Sequence, residues 1–249
     1  MNKYLMENLT WKEFEAKKDH VVILPVGSTE QHGPHLPLSV DSTIAKEISL
    51  KFAEKVDGVV APTLTYGYKS KPLSGGGPLF VGTIDLNGKT LIDLTYDVLE
   101  ELIEDGITKI FVVNAHFENE AFIVEAIDNI SQKYPHVTIV ESNWWDVLPD
   151  DVVEEVFKGL EFPGWALEHA AVTETSLMLY LAPELVREDL IVEEHAVPLP
   201  YYKYPIVKGM VPETGALANA KGSTAEKGKL ITDVAIEKFT EIANTVFNK

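Results

Sequence analysis

Twice in this chain a short β-branched apolar run ends in a loop carrying a histidine and a glutamate two residues apart. The first run is Val21 to Val26. Gly27 follows it, and then Glu30, His32, His35 and Asp41 within the stretch LPVGSTEQHGPHLPLSVD. The second is Lys109 to Val113, followed by Asn114-Ala115-His116-Phe117-Glu118-Asn119. Runs of this length and branching suit buried strands. A helical pattern succeeds each loop. Over 43–56, Ile44, Ile48 and Phe52 share a face, with Asp41 or Ser42 as the expected N-cap. Over 119–133, Phe122, Ile123, Ala126, Ile127 and Ile130 point inward.

The alternation continues with a short strand at Val59 to Ala61 and a helix from Thr90 to Asp105. That helix turns Leu91, Leu94, Val98 and Leu102 inward and stops at Gly106. A strand at Val137 to Val140 follows, then a helix from about Glu174 to Leu181. A last amphipathic helix from about Lys227 has Ile231, Ala235, Phe239, Ile242 and Val246 on one face. Such an order predicts an α/β fold: one domain over 1–249, a three-layer α/β/α sandwich on a mainly parallel sheet. Two irregular stretches stand out, the Gly-, Pro- and Ser-rich 62–87 and the Pro- and Tyr-rich 196–215. Connections this long inside a compact domain are usually functional loops or docking arms.

Composition removes several classes of function. A net charge of −18, with Arg187 as the only arginine, leaves nothing to neutralise phosphates, so nucleic acid is not expected as a partner. With no cysteine, disulfides, thiolate nucleophiles and Cys-based metal sites are excluded. No apolar run approaches membrane-spanning length and the N-terminus has no apolar leader, so the expected location is the cytoplasm, away from membranes. No G-x-S-x-G elbow exists for a serine hydrolase. Gly88-Lys89-Thr90 resembles the end of a phosphate-binding loop, but Gly82 lies one residue too far upstream. His20, His136 and His195 read as surface residues.

The two loops are the chemistry-bearing feature. Glu30 and His32, two apart on extended backbone, project to the same side. In open α/β sheets ligands bind beyond the carboxyl ends of the strands, near a topological switch point, so the two pairs should converge there. An Asp before a helix is ordinarily a cap, and a loop histidine ordinarily just a polar loop residue. The recurrence of the pair in one structural context, with Asp41 beside it, is what points to metal. Glu30, His32, Asp41, His116 and Glu118 exceed the three protein ligands of a catalytic zinc. They suit two ions about 3.5–4 Å apart sharing one carboxylate, with a hydroxide poised at neutral pH.

The motifs LPVGSTEQHGPHLPLSVD, YGYKSKPLSGGG, VVNAHFENEAFIVEAID and GWALEHAAVTETSLML resemble those of the creatininase (creatinine amidohydrolase) family, from Leu9 to about Leu230. HFEN and YGYKS…SGGG resemble its creatininase branch, since deformylating members read His-Gly-Gly-Asn at the second site. The resemblance implies two divalent ions, zinc and/or manganese. Glu30 and His116 would hold one, His32 and Glu118 the other, and Asp41 would bridge them, with His35 behind. It further implies a tryptophan-bearing lid, matched by Trp145 and Trp165, an acid/base pair in Glu168-His169, a substrate contact at Ser74, and a homo-hexamer. Glu118 would join Glu168 and His169 in the catalysis; Phe117 would join Ser74, Trp145, Trp165 and His169 around the substrate. From the residues alone, Trp144, Trp145 and Trp165 are better explained as packing or oligomer-interface anchors. The implied activity is the opening of a small cyclic amide by a metal-bridging hydroxide, creatinine to creatine first, with His169 protonating the leaving nitrogen. Another lactam or a formamide is the alternative substrate, and a metal-dependent binding protein without turnover the alternative class. Phe117, Ala166 and Ala170-Ala171 stand where creatininase-like sequences carry Tyr, Asp and Gly-Gly. The missing Asp removes a charged acceptor that would suit a guanidinium-like ring.

Overall fold

The structure is a computed structural model, and it describes residues 2–71, 74, 77–197 and 200–247. In chain order the principal elements are α1 (Trp11–Glu15), β1 (Val22–Val26), α2 (Val40–Val56), β2 (Val59–Val60), α3 (Gly88–Glu104), β3 (Lys109–Asn114), α4 (Glu120–Lys133), β4 (Thr138–Asn143), α5 (Asp150–Val156), α6 (Val172–Leu181) and α7 (Ala225–Phe247). The four strands form one parallel sheet in the order β2-β1-β3-β4.

Strand periodicity divides the core in two. Val22, Leu24 and Val26 of β1, with Ile110 and Val112 of β3, pack against Leu99, Leu102 and Ile103 of α3 and Ile123 and Ile130 of α4. Ile23, Phe111 and Val113 face the other way, onto Ile44, Ile48 and Phe52 of α2, Leu177 of α6 and Ile231 and Phe239 of α7. Alternate side chains thus feed alternate faces, the arrangement of a three-layer α/β/α sandwich. Phe52, Phe111 and Phe239 meet as a ring triad with centroids 4.9, 5.2 and 5.7 Å apart. Full burial of each such side chain contributes roughly 1.5–3 kcal/mol.

The chain leaves β1 toward β2 on one side and returns to β3 on the other, so the strand order reverses between β1 and β3. Val26 is in register with Asn114, which brings both strand ends to the same edge. Gly27 sets what happens next. A Cβ there would lie 2.5 Å from the backbone nitrogen of Ser42, so only glycine lets the start of α2 lie against the strand exit. The Ser42 hydroxyl donates to the Ser28 carbonyl at 3.0 Å and fastens that contact. On the far face α6 and α7 are as tight: a Cβ on Gly228 would fall 1.9 Å from the Ser176 carbonyl oxygen.

Two local expectations change, at Asp41 and in α3. α2 begins at Val40, so Asp41 lies within its first turn rather than capping it, and neither carboxylate oxygen has a hydrogen-bond partner. The buried stripe of α3 is Leu91, Thr95, Leu99, Leu102 and Ile103; Leu94 and Val98 flank it, because the helix settles rotated from the apolar count. The stretch 62–87 is irregular but anchored at both ends. Leu64 exchanges backbone bonds with Pro25 and Gly27, and Tyr68 bridges Leu86. Among the described residues no helix is long and apolar enough to cross a membrane.

Candidate metal centre

Beyond the ends of β1 and β3, Glu30, His32, Asp41 and His116 are buried together. Each imidazole is held from behind by a carbonyl. Nδ1 of His32 lies 3.0 Å from the Glu30 backbone oxygen, and Nε2 of His116 lies 2.8 Å from that of Tyr68. A carbonyl only accepts, so those nitrogens carry the ring hydrogens and the opposite nitrogens present lone pairs inward. Nε2 of His32 stands 3.0 Å from Asp41 Oδ1 and 3.6 Å from Glu174 Oε2. Nδ1 of His116 stands 3.1 Å from Asp41 Oδ2 and 3.4 Å from Glu30 Oε2. Asp41 therefore offers one oxygen to each histidine.

These contacts are close, yet His32 Nε2, both Asp41 oxygens and Glu30 Oε2 find no hydrogen bond of proper geometry. Buried lone pairs facing buried carboxylates repel unless a proton or a cation lies between them. The donor atoms of Glu30, Asp41 and His116 fall within 4.8 Å of one another, as do those of His32, Asp41 and Glu174, and of Glu30, His32 and His169. Imidazole nitrogen with carboxylate oxygen is a donor set that suits zinc or manganese, so the residues fit a metal.

Electrostatics give the same picture. For His116 burial acts to lower the pKa, but Asp41, then Glu30 and Glu118, outweigh it and carry the ring up to about 10. His32 is likewise raised, burial being overcome by Asp41 and Glu174. Burial drives Glu30 well above the carboxylate range, against the pull of His116 and His32. In Asp41 burial is overcome, and the two imidazoles hold the carboxyl well below its ordinary value. The cluster retains protons where a divalent cation would replace them.

The second His/Glu pair divides. Glu118 joins none of the three donor groups: one oxygen accepts from the Ser74 hydroxyl, and the other lies 3.4 Å from Nε2 of His116, the nitrogen that faces the Tyr68 carbonyl. The place expected for it beside His32 is taken by Glu174, in the first turn of α6. The sequence reading passed over Glu174 as a helix start. Its signal was present, a lone carboxylate in the otherwise uncharged run VTETSLMLYL of a helix that is mostly buried, since an ionised side chain persists in such a place only with a partner. Ala170 donates its backbone N–H to Glu174 Oε2 at 2.6 Å, and His35 meets the neighbouring Thr175 hydroxyl at 2.9 Å.

The family model for creatininase, creatinine amidohydrolase, matches residues 7–243. The chain is 38% identical over 248 residues to the creatinine amidohydrolase of Pseudomonas putida, covering 96% of this chain and 95% of that protein. The chain belongs to the creatininase family. With that family it is a hydrolase acting on C–N bonds. The solved structure of a mutant creatininase of the Zn-Zn type superposes with a TM-score of 0.94 at 36% identity, over 99% of each chain. A mycofactocin precursor peptide peptidase from Mycolicibacterium smegmatis is 30% identical over 85% of this chain and 79% of its own length. Creatininase relatives therefore differ in substrate.

In this family member the two residues expected as an acid/base pair are set apart. The His169 ring lies against that of His32, centroids 4.3 Å apart, and burial followed by repulsion from His32 holds its pKa well below the usual imidazole value. Glu168 turns instead to the start of α6. One of its oxygens accepts from both the backbone and the hydroxyl of Thr173, and burial pushes its pKa up to about 8. Phe117, 38% exposed, meets Trp145 at 5.9 Å, and an aromatic chain runs on through Trp144, Trp165 and Phe162. Of the expected SGGG turn at 74–77, Gly75 and Gly76 lie outside the described residues. At Gly77 a Cβ would stand 2.5 Å from Glu30 Oε1, so glycine is required for the backbone to pass that carboxylate.

Proposed function

We propose that this chain, as one hydrolase domain over 1–249, is a two-metal amidohydrolase opening a small cyclic amide, creatinine to creatine first. The observation that carries the reading is Asp41, unpartnered, with one oxygen toward each of two histidines whose outer nitrogens are tied to carbonyls. Glu30, Asp41 and His116 would hold one ion. His32, Asp41 and Glu174 would hold the other, Glu174 replacing Glu118 as ligand because its oxygen lies on the inward side of His32. Zinc and manganese both suit these donors. Bound there, the ions would polarise the amide carbonyl and lower the pKa of water.

His169 is the group placed to move the proton. Buried and held neutral, it can take a hydrogen from the attacking water and pass it to the departing nitrogen. Glu118, whose pKa burial raises, is gripped by Ser74 on the outer side of His116 and serves the chemistry rather than the metal. Glu168 keeps α6, and with it Glu174, in place. Phe117, Trp145 and Trp165 would wall the substrate with rings. With Ala166 beside them no carboxylate is supplied from that position, which leaves another lactam or a formamide as the rival substrate. Exposed Tyr66, Val81 and Ile84 on 62–87, and Tyr201, Tyr202, Tyr204 and Val207 on 196–215, suit burial between copies, and we assign the protein to a cytoplasmic homo-hexamer.

The test is purified protein assayed for metal by mass spectrometry and for turnover of creatinine beside a panel of lactams, hydantoins and formamides. About two ions per chain with ring opening of creatinine supports the proposal. Turnover confined to another amide would replace the substrate. Two ions with no turnover on any would favour a binding protein.

A further inference from the structure

Asn119, where the second loop turns into α4, is fully buried, and both polar atoms of its side chain have partners. Its Oδ1 accepts the Tyr68 backbone N–H at 2.8 Å. Its Nδ2 donates to the Gly27 carbonyl at 3.0 Å and to Asn114 Oδ1 at 3.3 Å. A backbone N–H only donates and a carbonyl only accepts, so this carboxamide has one orientation. Asn114, the last residue of β3, is fixed in the same way. Its Oδ1 also accepts the His116 backbone N–H at 3.1 Å. Its Nδ2 donates to the His116 carbonyl at 2.9 Å and to Asn143 Oδ1 at 2.7 Å.

The segments joined here are those around one of the two proposed ions. Gly27 is where the chain leaves β1 for Glu30 and His32. Tyr68 belongs to the irregular 62–87, and its carbonyl lies 2.8 Å from Nε2 of His116. Asn114 grips the main chain of His116 at both its N–H and its carbonyl. Gly67 shows how closely the segments meet. A Cβ there would stand 2.7 Å from Asn119 Oδ1 and 2.8 Å from the Gly27 carbonyl oxygen. The Tyr68 ring leans on Phe122 of α4, centroids 4.1 Å apart, so the start of α4 holds Tyr68 by backbone and by ring. His32 is held differently. The carbonyl behind its ring is that of Glu30, in the same loop, and that loop meets α6 through His35 and Thr175, 2.9 Å apart.

We propose that Asn119 is a positioning residue of the metal centre. Its carboxamide sets the β1 exit, the Tyr68 peptide and the start of α4 in register, and so fixes the separation of Glu30 from His116. The proposal rests on the two-metal reading above, and it assigns Asn119 to one ion of the pair. The ion of Glu30, Asp41 and His116 takes a ligand from each of the two loops that Asn119 ties together. The ion of His32, Asp41 and Glu174 instead spans the β1 loop and α6. Without the carboxamide the Tyr68 N–H and the Gly27 carbonyl lose this partner, and both segments must shift to recover one. Asn119 acts through the ligands and what stands behind them.

Zinc titration against a chelator reads the two affinities without substrate. Glu30→Gln and Glu174→Gln, each loaded with cobalt, supply the absorption spectrum of the position that each leaves intact. Asn119→Ala should weaken one ion about 10–100-fold, the usual cost of losing a support behind a ligand, and leave the other within about twofold. Partly loaded with cobalt, it should show the spectrum of Glu30→Gln, in which the His32 position is filled. Gly67→Ala crowds the carboxamide without removing it; it should weaken the same ion, and it serves if Asn119→Ala does not fold. Ile123→Val, which loosens the packing of α4 away from the carboxamide, should leave both affinities within about twofold. Equal weakening of both ions, the spectrum of Glu174→Gln, or the same loss in Ile123→Val would overturn the assignment. So would two ions held by the Asn119 and Gly67 variants as tightly as by wild type. Wild-type protein that binds no divalent ion would instead remove the two-metal reading itself, and the positioning role with it.

Discussion

The two loops look like mirror images in sequence, Glu-x-His after β1 and His-x-Glu after β3, yet they fold to different ends. Around Glu30 and His32 the chain has no helical turn, and both side chains turn inward. After His116, which is itself extended, the backbone tightens into a single 3-10 turn over Phe117–Asn119 before α4. Residues two apart share a side on extended chain, but at three residues per turn they diverge by about 240°. Glu118 is therefore carried away from His116's inward nitrogen, and a carboxylate from α6 fills the gap. A spacing identifies a shared face only when the backbone conformation between the residues is known.

The most damaging way to break the comparison is to remove what the loops share. Asp41→Ala takes an oxygen from both histidines, and it should empty both proposed ion positions and abolish turnover. Metal analysis showing one ion retained at full occupancy would deny Asp41 its bridging place. The comparison is sharpened by treating the rival carboxylates alike. Glu174→Gln should lower metal occupancy, whereas Glu118→Gln should keep both ions and slow turnover by about 10²–10⁴-fold, the range for losing a positioned acid or base. Loss of metal from Glu118→Gln, with none from Glu174→Gln, would restore the assignment made from sequence. His169→Ala should behave as Glu118→Gln does: metals held, KM little changed, kcat down by about 10²–10⁴-fold. Metal lost with His169 would make it a ligand, consistent with its nearness to Glu30 and His32.

A smaller effect concerns how Glu174 is held. Glycine to alanine inside a helix ordinarily stabilises by roughly 0.5–1 kcal/mol. At Gly228 the added methyl would meet the Ser176 carbonyl, so Gly228→Ala should instead destabilise by about 1–3 kcal/mol, read as a lower urea midpoint. A stabilised variant would mean that α6 and α7 can part without cost. The smallest effect contrasts the buried carboxylates that face imidazoles with a half-buried one that faces none. Glu141 on β4 has its pKa pushed up to about 8, by burial first and then by Glu120 and Asp146. A folded value above the unfolded one means stability that is complete below the ordinary carboxyl pKa and lost as pH rises through about 8. Glu141→Gln should therefore flatten the fall in stability between about pH 5 and pH 8; an unchanged slope in urea titrations would place the loss elsewhere.

Much of this was open to reading from residues alone. β-branched runs and apolar periods of three and four are local statements, so the order of strands and helices, the parallel sheet and the edge where the two loops meet could be inferred before any coordinates. The errors were of direction and distance. Asp41 reads from sequence both as a ligand and as a cap of α2, and only the first role stands, because α2 begins one residue earlier and carries the carboxylate inward within its first turn. The stripe of α3 came out shifted because Thr95, a polar letter, is fully buried.

What the sequence determined by itself was a donor-rich edge on an α/β sheet, since strand ends, loop polarity and helix starts are written within a few residues of one another. What only the tertiary structure decided was which donor side chains stand together at that edge. Glu174 comes from a helix near the far end of the chain, the Gln31–His169 contact spans 138 residues, and Glu118 turns away within one short helical turn. Those facts follow from side-chain direction and from packing between distant segments. Both are set by the folded backbone as a whole, and no count along the chain contains them.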